Sequence, residues 1–368
     1  DTWTQLKQAD GASTIGLLGR LHFYAALFET GFHDEDTYDM TRWSNGAYKY
    51  PDATYDPLAS WAKVAQAQLR HAGIHGLVGA WATNPPATVV AQALDVDQDG
   101  EMEYLLYNRR VFAVLEDNGG RMVMAFARHP DNQRAYQVIG NSLAYAEGES
   151  EDEGAYNVST NGAPVARRTS ALKDWWASGP DTYQYVNDLY SASPVAQGWQ
   201  LTSSDGKVQK TITLANLETN HFTVSYALSG GINRLYIRHG LSPNLYDLVH
   251  YGQAHLGAMM YSGGAASLQN DNHSDTVAAR LLCPGGAGQA AYNGDATDHQ
   301  GAFAARTMRN QMYVHQAEIF GDGSFSFQLG LTVASSDTDL DGTINDLDND
   351  DDNDGFSDAV VLLVDSQT

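Results

Sequence analysis

Apolar residues in the first third of the chain fall at helical intervals. Leu17, Leu21, Tyr24 and Phe28 recur at spacings of four, three and four, which gathers them on one face of a helix running from Thr14 to about Asp36. Ser13 or Thr14 stands where an N-cap belongs. A second helix begins at Asp56-Pro57, an acidic cap followed by a proline suited to the first turn. Leu58, Trp61, Ala65, Leu69 and Ala72 carry its periodicity, and Gly73, Gly76 and Gly79 predict close packing in a core. Pro85-Pro86 ends it.

From Leu94 the pattern changes to short apolar runs. Tyr104 to Tyr107, Val111 to Leu115 and Met122 to Ala127 read as strands, with an Asn118-Gly119-Gly120 turn before the third. Tyr136 to Ile139, Leu143 to Tyr145, Phe222 to Leu228 and Arg234 to Arg238 continue the series. Trp199 to Leu201 and Val208 to Leu214 flank Asp205-Gly206, a hairpin signal, and Met312 to Phe320 and Ser324 to Val333 flank Asp322-Gly323, which predicts a second hairpin. Pro243 to Met260 predicts a helix, and the Gly- and Ala-rich stretch 263–301 predicts loops with strand pieces. The sum is an α+β chain: N-terminal helices over residues 1–90, a large antiparallel β-sandwich over 91–334, and an acidic tail over 335–368.

The acidic residues change the picture in two places. Asp95, Asp97, Asp99, Gly100 and Glu103 form a D-x-D-x-D-G-x-x-E loop just before a strand. Alternate carboxylates on a tight turn point inward, and calcium takes about six to eight hard oxygen ligands, so this spacing suits calcium. An EF-hand needs an acid at the twelfth position, which here is Leu106. The tail repeats the pattern through Asp337, Asp339 and Asp341, then Asp346 and Asp348, then Asp350, Asp352, Asp354, Gly355 and Asp358. So many carboxylates repel one another unless cations lie between them. Calcium is the cofactor expected at both places.

The 368 residues carry a net charge of −24, which disfavours nucleic acid and anionic membranes as partners and favours cations. No apolar run approaches the length of a membrane span. Cys283 is the only cysteine, so no intrachain disulfide forms. The start at Asp1 without Met is expected of a mature or trimmed product, and calcium loops favour an extracellular or periplasmic setting.

Three further groups are candidates for chemistry. Trp43, Trp175 and Trp176 lie in aromatic stretches and have flat faces that suit sugar rings. Glu29, His33, Asp34 and Asp36 are dense in titratable groups, though an acidic helix terminus accounts for them more simply. His71 and His75 share a helix face, and a pair alone is weak evidence for a metal.

Two resemblances follow from these motifs. The tail looks like the thrombospondin type 3 calcium repeat, in the cysteine-free form common in bacterial surface and secreted proteins. ALFETGFHDEDTYD (26–39), HAGIHGLVGAWA (71–82), DVDQDGEMEYLLYNRRVFAVLEDNGGRMVMAF (95–126), VIGNSLAY (138–145), RTSALKDWW (168–176) and RLYIRHGLSPNLYDL (234–248) resemble the region after the catalytic barrel in family 57 glycoside hydrolases, which act on α-glucans. The family's His-Gln-Pro motif and its nucleophile and acid motifs are not visible here. A retaining glycosidase needs two carboxylates about 5 Å apart, and this sequence nominates no such pair. The resemblance therefore implies a non-catalytic region that supports a barrel, joined to further modules of its parent chain, or holds polysaccharide. The alternative is a calcium-dependent structural module that self-assembles.

Overall fold

The computed structural model describes residues 2–32, 43–44, 47–48, 60–96, 101–140, 170–177, 183–186, 188–243, 245–246, 260–262, 265–272, 275–283, 288–292 and 315–336. Of three helices, α1 (Thr2–Leu6), α2 (Thr14–Phe32) and α3 (Ser60–Thr83), the last two cover one face of a five-stranded meander and α1 packs on α3. The meander runs β3 (Val90–Leu94), β4 (Glu103–Tyr107), β5 (Val111–Leu115), β6 (Met122–Arg128) and β7 (Ala135–Ile139) in that spatial order. A two-residue pair, β1 (Trp43–Ser44) and β2 (Ala47–Tyr48), lies between α2 and α3 in sequence.

The meander strands read as unbroken apolar runs because both faces are covered. Phe112 and Val114 of β5 point into a core shared with Ile15, Ile74, Val78 and Trp81 of the helices. Val111, Ala113 and Leu115 point the other way, into the core of the β-sandwich. A bulge opposite Val114 and Leu115 adds one residue to β6, so Val123 and Met124 both face the helices.

That second core is closed by two antiparallel sheets. One has eight strands: β10 (Tyr190–Val195), β11 (Gly198–Ser203), β12 (Val208–Thr213), β13 (His221–Leu228), β20 (Ser324–Ser335), β17 (Asp275–Leu282), β16 (Ala265–Asn272) and β15 (Met260–Ser262), in spatial order. The other has five: β18 (Gly288–Tyr292), β19 (His315–Gly321), β14 (Leu235–Leu241), β8 (Lys173–Ala177) and β9 (Tyr183–Gln184). Ile237 and Ile319 from the smaller sheet meet Phe222, Val277 and Phe327 from the larger one. The architecture is α+β with an antiparallel sandwich, as the apolar pattern implies.

Three local expectations come out differently. Asp322-Gly323 does not close a hairpin: β19 pairs with β14 and β18, whereas β20 pairs with β13 and β17. Gly323 takes φ +62° and its carbonyl accepts the Leu228 N–H at 2.8 Å, so the turn carries the chain from one sheet to the other. Asp205-Gly206 does join two paired strands, β11 and β12. The stretch expected to be loops with strand pieces supplies two full strands, β16 and β17, eight residues each, paired along their whole length. The Leu17-Leu21-Tyr24-Phe28 face of α2 points outward, with Leu21, Tyr24 and Phe28 42%, 56% and 67% exposed. Ile15, Leu18, His22 and Ala26 form the buried face instead. Close packing explains the choice. A Cβ on Gly19 would come within 2.5 Å of Leu6 and 2.9 Å of His75, so only a small residue admits this approach. On α3, Gly73, Gly76 and Gly79 form the expected ridge, and α1 lies on it. A Cβ on Gly79 would stand 2.2 Å from that of Ala9. The expected strand Leu143 to Tyr145 and most of the expected helix 243–260 lie outside the described residues.

Candidate functional site

The acidic loop begins where the β3–β4 ladder ends. Leu94 pairs with Glu103, so Asp95 and Glu103, the first and ninth positions of the motif, flank the neck of one hairpin loop. Glu103 is 1% exposed, and its carboxylate accepts the Val96 N–H. That bond ties the ninth residue of the motif to the start of the loop. Asp97 and Asp99 lie outside the described residues, as do all the tail positions from Asp337 to Asp358. Among the described residues no group of three or more His, Cys, Asp or Glu is placed to hold a metal.

A second cluster joins three histidines that are far apart in sequence. His22 of α2 meets His71 and His75 of α3, with ring centroids 4.8 and 5.2 Å away. His22 Nδ1 bonds to Gln68 Oε1. His75 Nδ1 lies 2.6 Å from the His71 carbonyl and Nε2 lies 2.9 Å from Gln137 Oε1, so the neutral ring, with one N–H, donates to one of these two oxygens. Burial, then repulsion from His75, lowers the His22 pKa to about 3. Burial also holds His71 well below the usual range, with further lowering from His22, His75 and Arg70. His75 is lowered by burial as well. The three rings are neutral core groups at pH 7. Sequence spacing paired His71 with His75 but gave no sign of His22.

A third cluster has the residue types of a serine hydrolase without the protonation. His129 Nε2 is 3.0 Å from Ser335 Oγ and 3.8 Å from Asp275 Oδ1. Its Nδ1 accepts the Asp131 N–H at 3.1 Å, which places the ring proton on Nε2. The ring therefore donates toward Ser335 instead of accepting its proton, the reverse of what a general base does. Asp275 is taken by Arg134, through Nε at 2.7 Å and a second guanidinium nitrogen at 3.0 Å, and by the Tyr136 hydroxyl at 2.8 Å. These contacts lock β7 to β17. A cleft of about 180 Å³ beside Arg134, lined also by Asp10, Thr14 and Thr83, is smaller than the ~300–1,000 Å³ of ordinary ligand sites.

A fourth polar group is a fully buried ion pair. Lys210 Nζ donates to Asp174 Oδ2 at 2.8 Å and to the carbonyls of Leu172 at 2.9 Å and Gly119 at 3.2 Å, which uses all three of its protons. Asp174 also accepts the hydroxyls of Tyr190 at 2.8 Å and Tyr226 at 2.7 Å. Burial pushes the Asp174 carboxyl up and the Lys210 ammonium down, and each ion counteracts the shift of the other. The pair links β8, β10, β12, β13 and the turn before β6, so it fastens the three sheets together. Nothing in the sequence joined Asp174 to Lys210.

The remaining candidates are placed as follows. Trp175 is 4% exposed, with the Arg238 guanidinium 4.6 Å from its ring centre, so one indole face already carries a cation. Trp176 is half-buried, packs on the sandwich core and lies 6.3 Å from the Tyr185 ring. Trp43 pairs with Tyr48 across β1 and β2. Glu29 lies within α2, while His33, Asp34 and Asp36 fall outside the described residues. Cys283 is buried, and burial raises its thiol to about 11, far from a reactive thiolate at pH 7.

The fold defines a class, an antiparallel sandwich carrying a helix-covered meander. No protein-family model matches the chain, and no curated protein does. Among solved structures it is similar to the 4-alpha-glucanotransferase of Thermococcus litoralis, with 13% identity over 72% of this chain and 42% of that one, at a TM-score of 0.34. It is similar to the heparan sulfate lyase HepC of Pedobacter heparinus, with 10% identity over 75% of this chain and 41% of that one, at 0.38. It is also similar to YidC of Thermotoga maritima, with 11% identity over 75% of this chain and 62% of that one, at 0.31. The chain spans about two fifths of the glucanotransferase and the lyase. Likenesses at these scores carry no argument about what the chain does.

Proposed function

We propose that the chain is a calcium-stabilised, non-catalytic region of a secreted α-glucan-active protein, which supports a catalytic barrel or holds polysaccharide. The observation that carries the calcium part is the β3–β4 neck, which brings Asp95 and Glu103 to one end of a hairpin and turns the Glu103 carboxylate onto Val96. The spacing of Asp97 and Asp99 within the loop, and of the tail carboxylates, supports it. The non-catalytic part is supported by the use of the interior polar groups. Asp174, Lys210 and Asp275 are engaged in fastening sheets to one another. The α-glucan part rests on the sequence resemblance alone.

Thermal unfolding with calcium and with chelator, with bound metal counted by native mass spectrometry, tests the reading. An ion that binds only the folded state adds about 2.7 kcal/mol at a hundredfold excess over its dissociation constant. The expected result is an upward shift that shrinks in Asp95→Asn. No bound metal and no shift would remove calcium from the reading. Retardation on glycogen or pullulan gels tests polysaccharide separately, and unretarded migration in calcium would leave support of a barrel as the role.

A further inference from the structure

The meander separates two cores. On one side Ile15, Ile74, Val78 and Trp81 of the helices pack on Phe112, Val114 and Phe126. On the other side the same strands belong to the sandwich. Polar bonds across the helix side run from Trp81 Nε1 to the Asn108 carbonyl at 2.6 Å, from Arg128 Nε to the Ala82 carbonyl at 2.7 Å and from the Thr14 hydroxyl to the Ala135 carbonyl. All three rings of the His22–His71–His75 group lie in this layer. His75 meets Phe126 of β6 edge-on at 5.7 Å and reaches Gln137 of β7. His22 donates through Nδ1 to Gln68 Oε1, and its Nε2 is buried with no partner among the described residues. A proton added there enters a space without an acceptor.

The surrounding elements offer little to offset that charge. α1 and β7 carry no charged residue, α2 carries Arg20 and Glu29, α3 carries Lys63 and Arg70, and β6 carries Arg128. Glu29 is the one acid, and it stands seven positions from His22, about 10 Å along the helix. Arg20 is turned onto the Gly16 carbonyl and Arg128 onto that of Ala82, while Arg70 acts on His71 with the same sign.

We propose that the helical layer is an acid-released cover: when the imidazoles take up protons, α1, α2 and α3 open away from the meander together while the sandwich stays folded. This is independent of the calcium and polysaccharide reading. Opening gives the charged rings access to water, and neutralisation closes the layer again. The face it uncovers holds Phe112, Val114, Val123, Met124 and Phe126. The buried rings outside the layer are His129, which has the Asp275 carboxylate 3.8 Å away, and the single ring of His239. A ring that titrates at about 3 when buried and at 6.5 in water favours opening as the pH falls below 6.5. Between pH 7 and 5 His22 raises the opening equilibrium about 25-fold. His71, held well below its usual range, contributes a similar factor, for roughly 600-fold together, and His75 adds in the same direction.

Hydrogen exchange of the whole chain, followed by mass spectrometry at pH 7 and pH 5 and corrected for the intrinsic pH dependence of exchange, tests the release. The expected result is that protection in α2 and α3 falls by roughly 600-fold or more, lies below that of β12 and β13 at pH 5, and returns on neutralisation. In His22→Gln the fall should be about 25-fold smaller. Circular dichroism at pH 7 confirms that the variant is folded, and exchange of the unsubstituted chain decides the case without it. Equal protection in α2, α3, β12 and β13 at pH 5 would overturn the proposal, because layer and sandwich would then open as one. A fall that His22→Gln leaves unchanged would overturn it as well.

Discussion

The Asp174–Lys210 pair and the His22–His71–His75 group are equally remote from water, and they are held there differently. In the ion pair, opposite charges meet, and every Lys210 proton and both Asp174 oxygens have partners. In the histidine group the charges that act on one another are the three imidazoles and Arg70, all of one sign once protonated. The ion pair is stable in its charged state and costly to split. The imidazoles are stable only while neutral. Burial by itself therefore says little about how a polar group responds to change; the sign and completeness of its partners decide.

The most severe test of this contrast is Asp174→Ala. It leaves a buried ammonium without its counter-ion and two buried hydroxyls without their acceptor, and should cost about 3–5 kcal/mol in denaturant unfolding. Replacing both ions, Asp174→Leu with Lys210→Met, should recover much of that loss, because no uncompensated charge remains.

Acid tests the other cluster. The folded pKa of His22 is depressed to about 3, below its ordinary 6.5, so its contribution is complete above pH 6.5 and is lost as the pH falls toward 3. Stability should drop by about 1.4 kcal/mol per pH unit for each such histidine once the pH is below 6.5. His71 and His75 shift in the same direction and add to the slope. In denaturant titrations between pH 6.5 and 5, His22→Gln should flatten the slope by one proton. An unchanged slope would mean that the imidazoles are reachable by water.

Two smaller effects separate packing from charge. Gly79→Ala drives a methyl into Ala9 and should cost about 1–3 kcal/mol, seen as faster hydrogen exchange in α1 with the sandwich unaffected. Tyr226→Phe removes one of three bonds to Asp174 and should cost about 0.5–1.5 kcal/mol in the same unfolding assay, far less than loss of the carboxylate.

These clusters also mark what could be read along the chain. β4 to β7 were legible because their apolar runs are local and dense, and Asp205-Gly206 was legible because a hairpin's partners are neighbours. Asp322-Gly323 carries the same local signal, and a turn does not say which strands its arms will join. β16 and β17 were obscured by Ala, Asn and Gln, residues of weak strand preference that are held extended by β17's pairing with β20. α2 is apolar on nearly every side, so its periodicity revealed a helix but not which face would be covered. His22 lies 46 residues from Gln68, and Asp174 lies 36 from Lys210. No spacing rule spans such gaps, because the sheets alone bring the partners together.

β20 has a consequence for biosynthesis. It is the strand that joins β10–β13 to β15–β17, and among the described strands it is made last. Between Leu228 and Ser324 the ribosome adds about a hundred residues, which at roughly 5–20 residues per second takes on the order of 5–20 seconds. Through that interval the backbone of β13 has no neighbour on one side, and the same is true of β17 once it has formed. Until β20 is made, a nascent chain carries two adhesive borders that this strand later seals. Translation that stalls before Ser324 yields a product prepared to stick to its neighbours on the polysome.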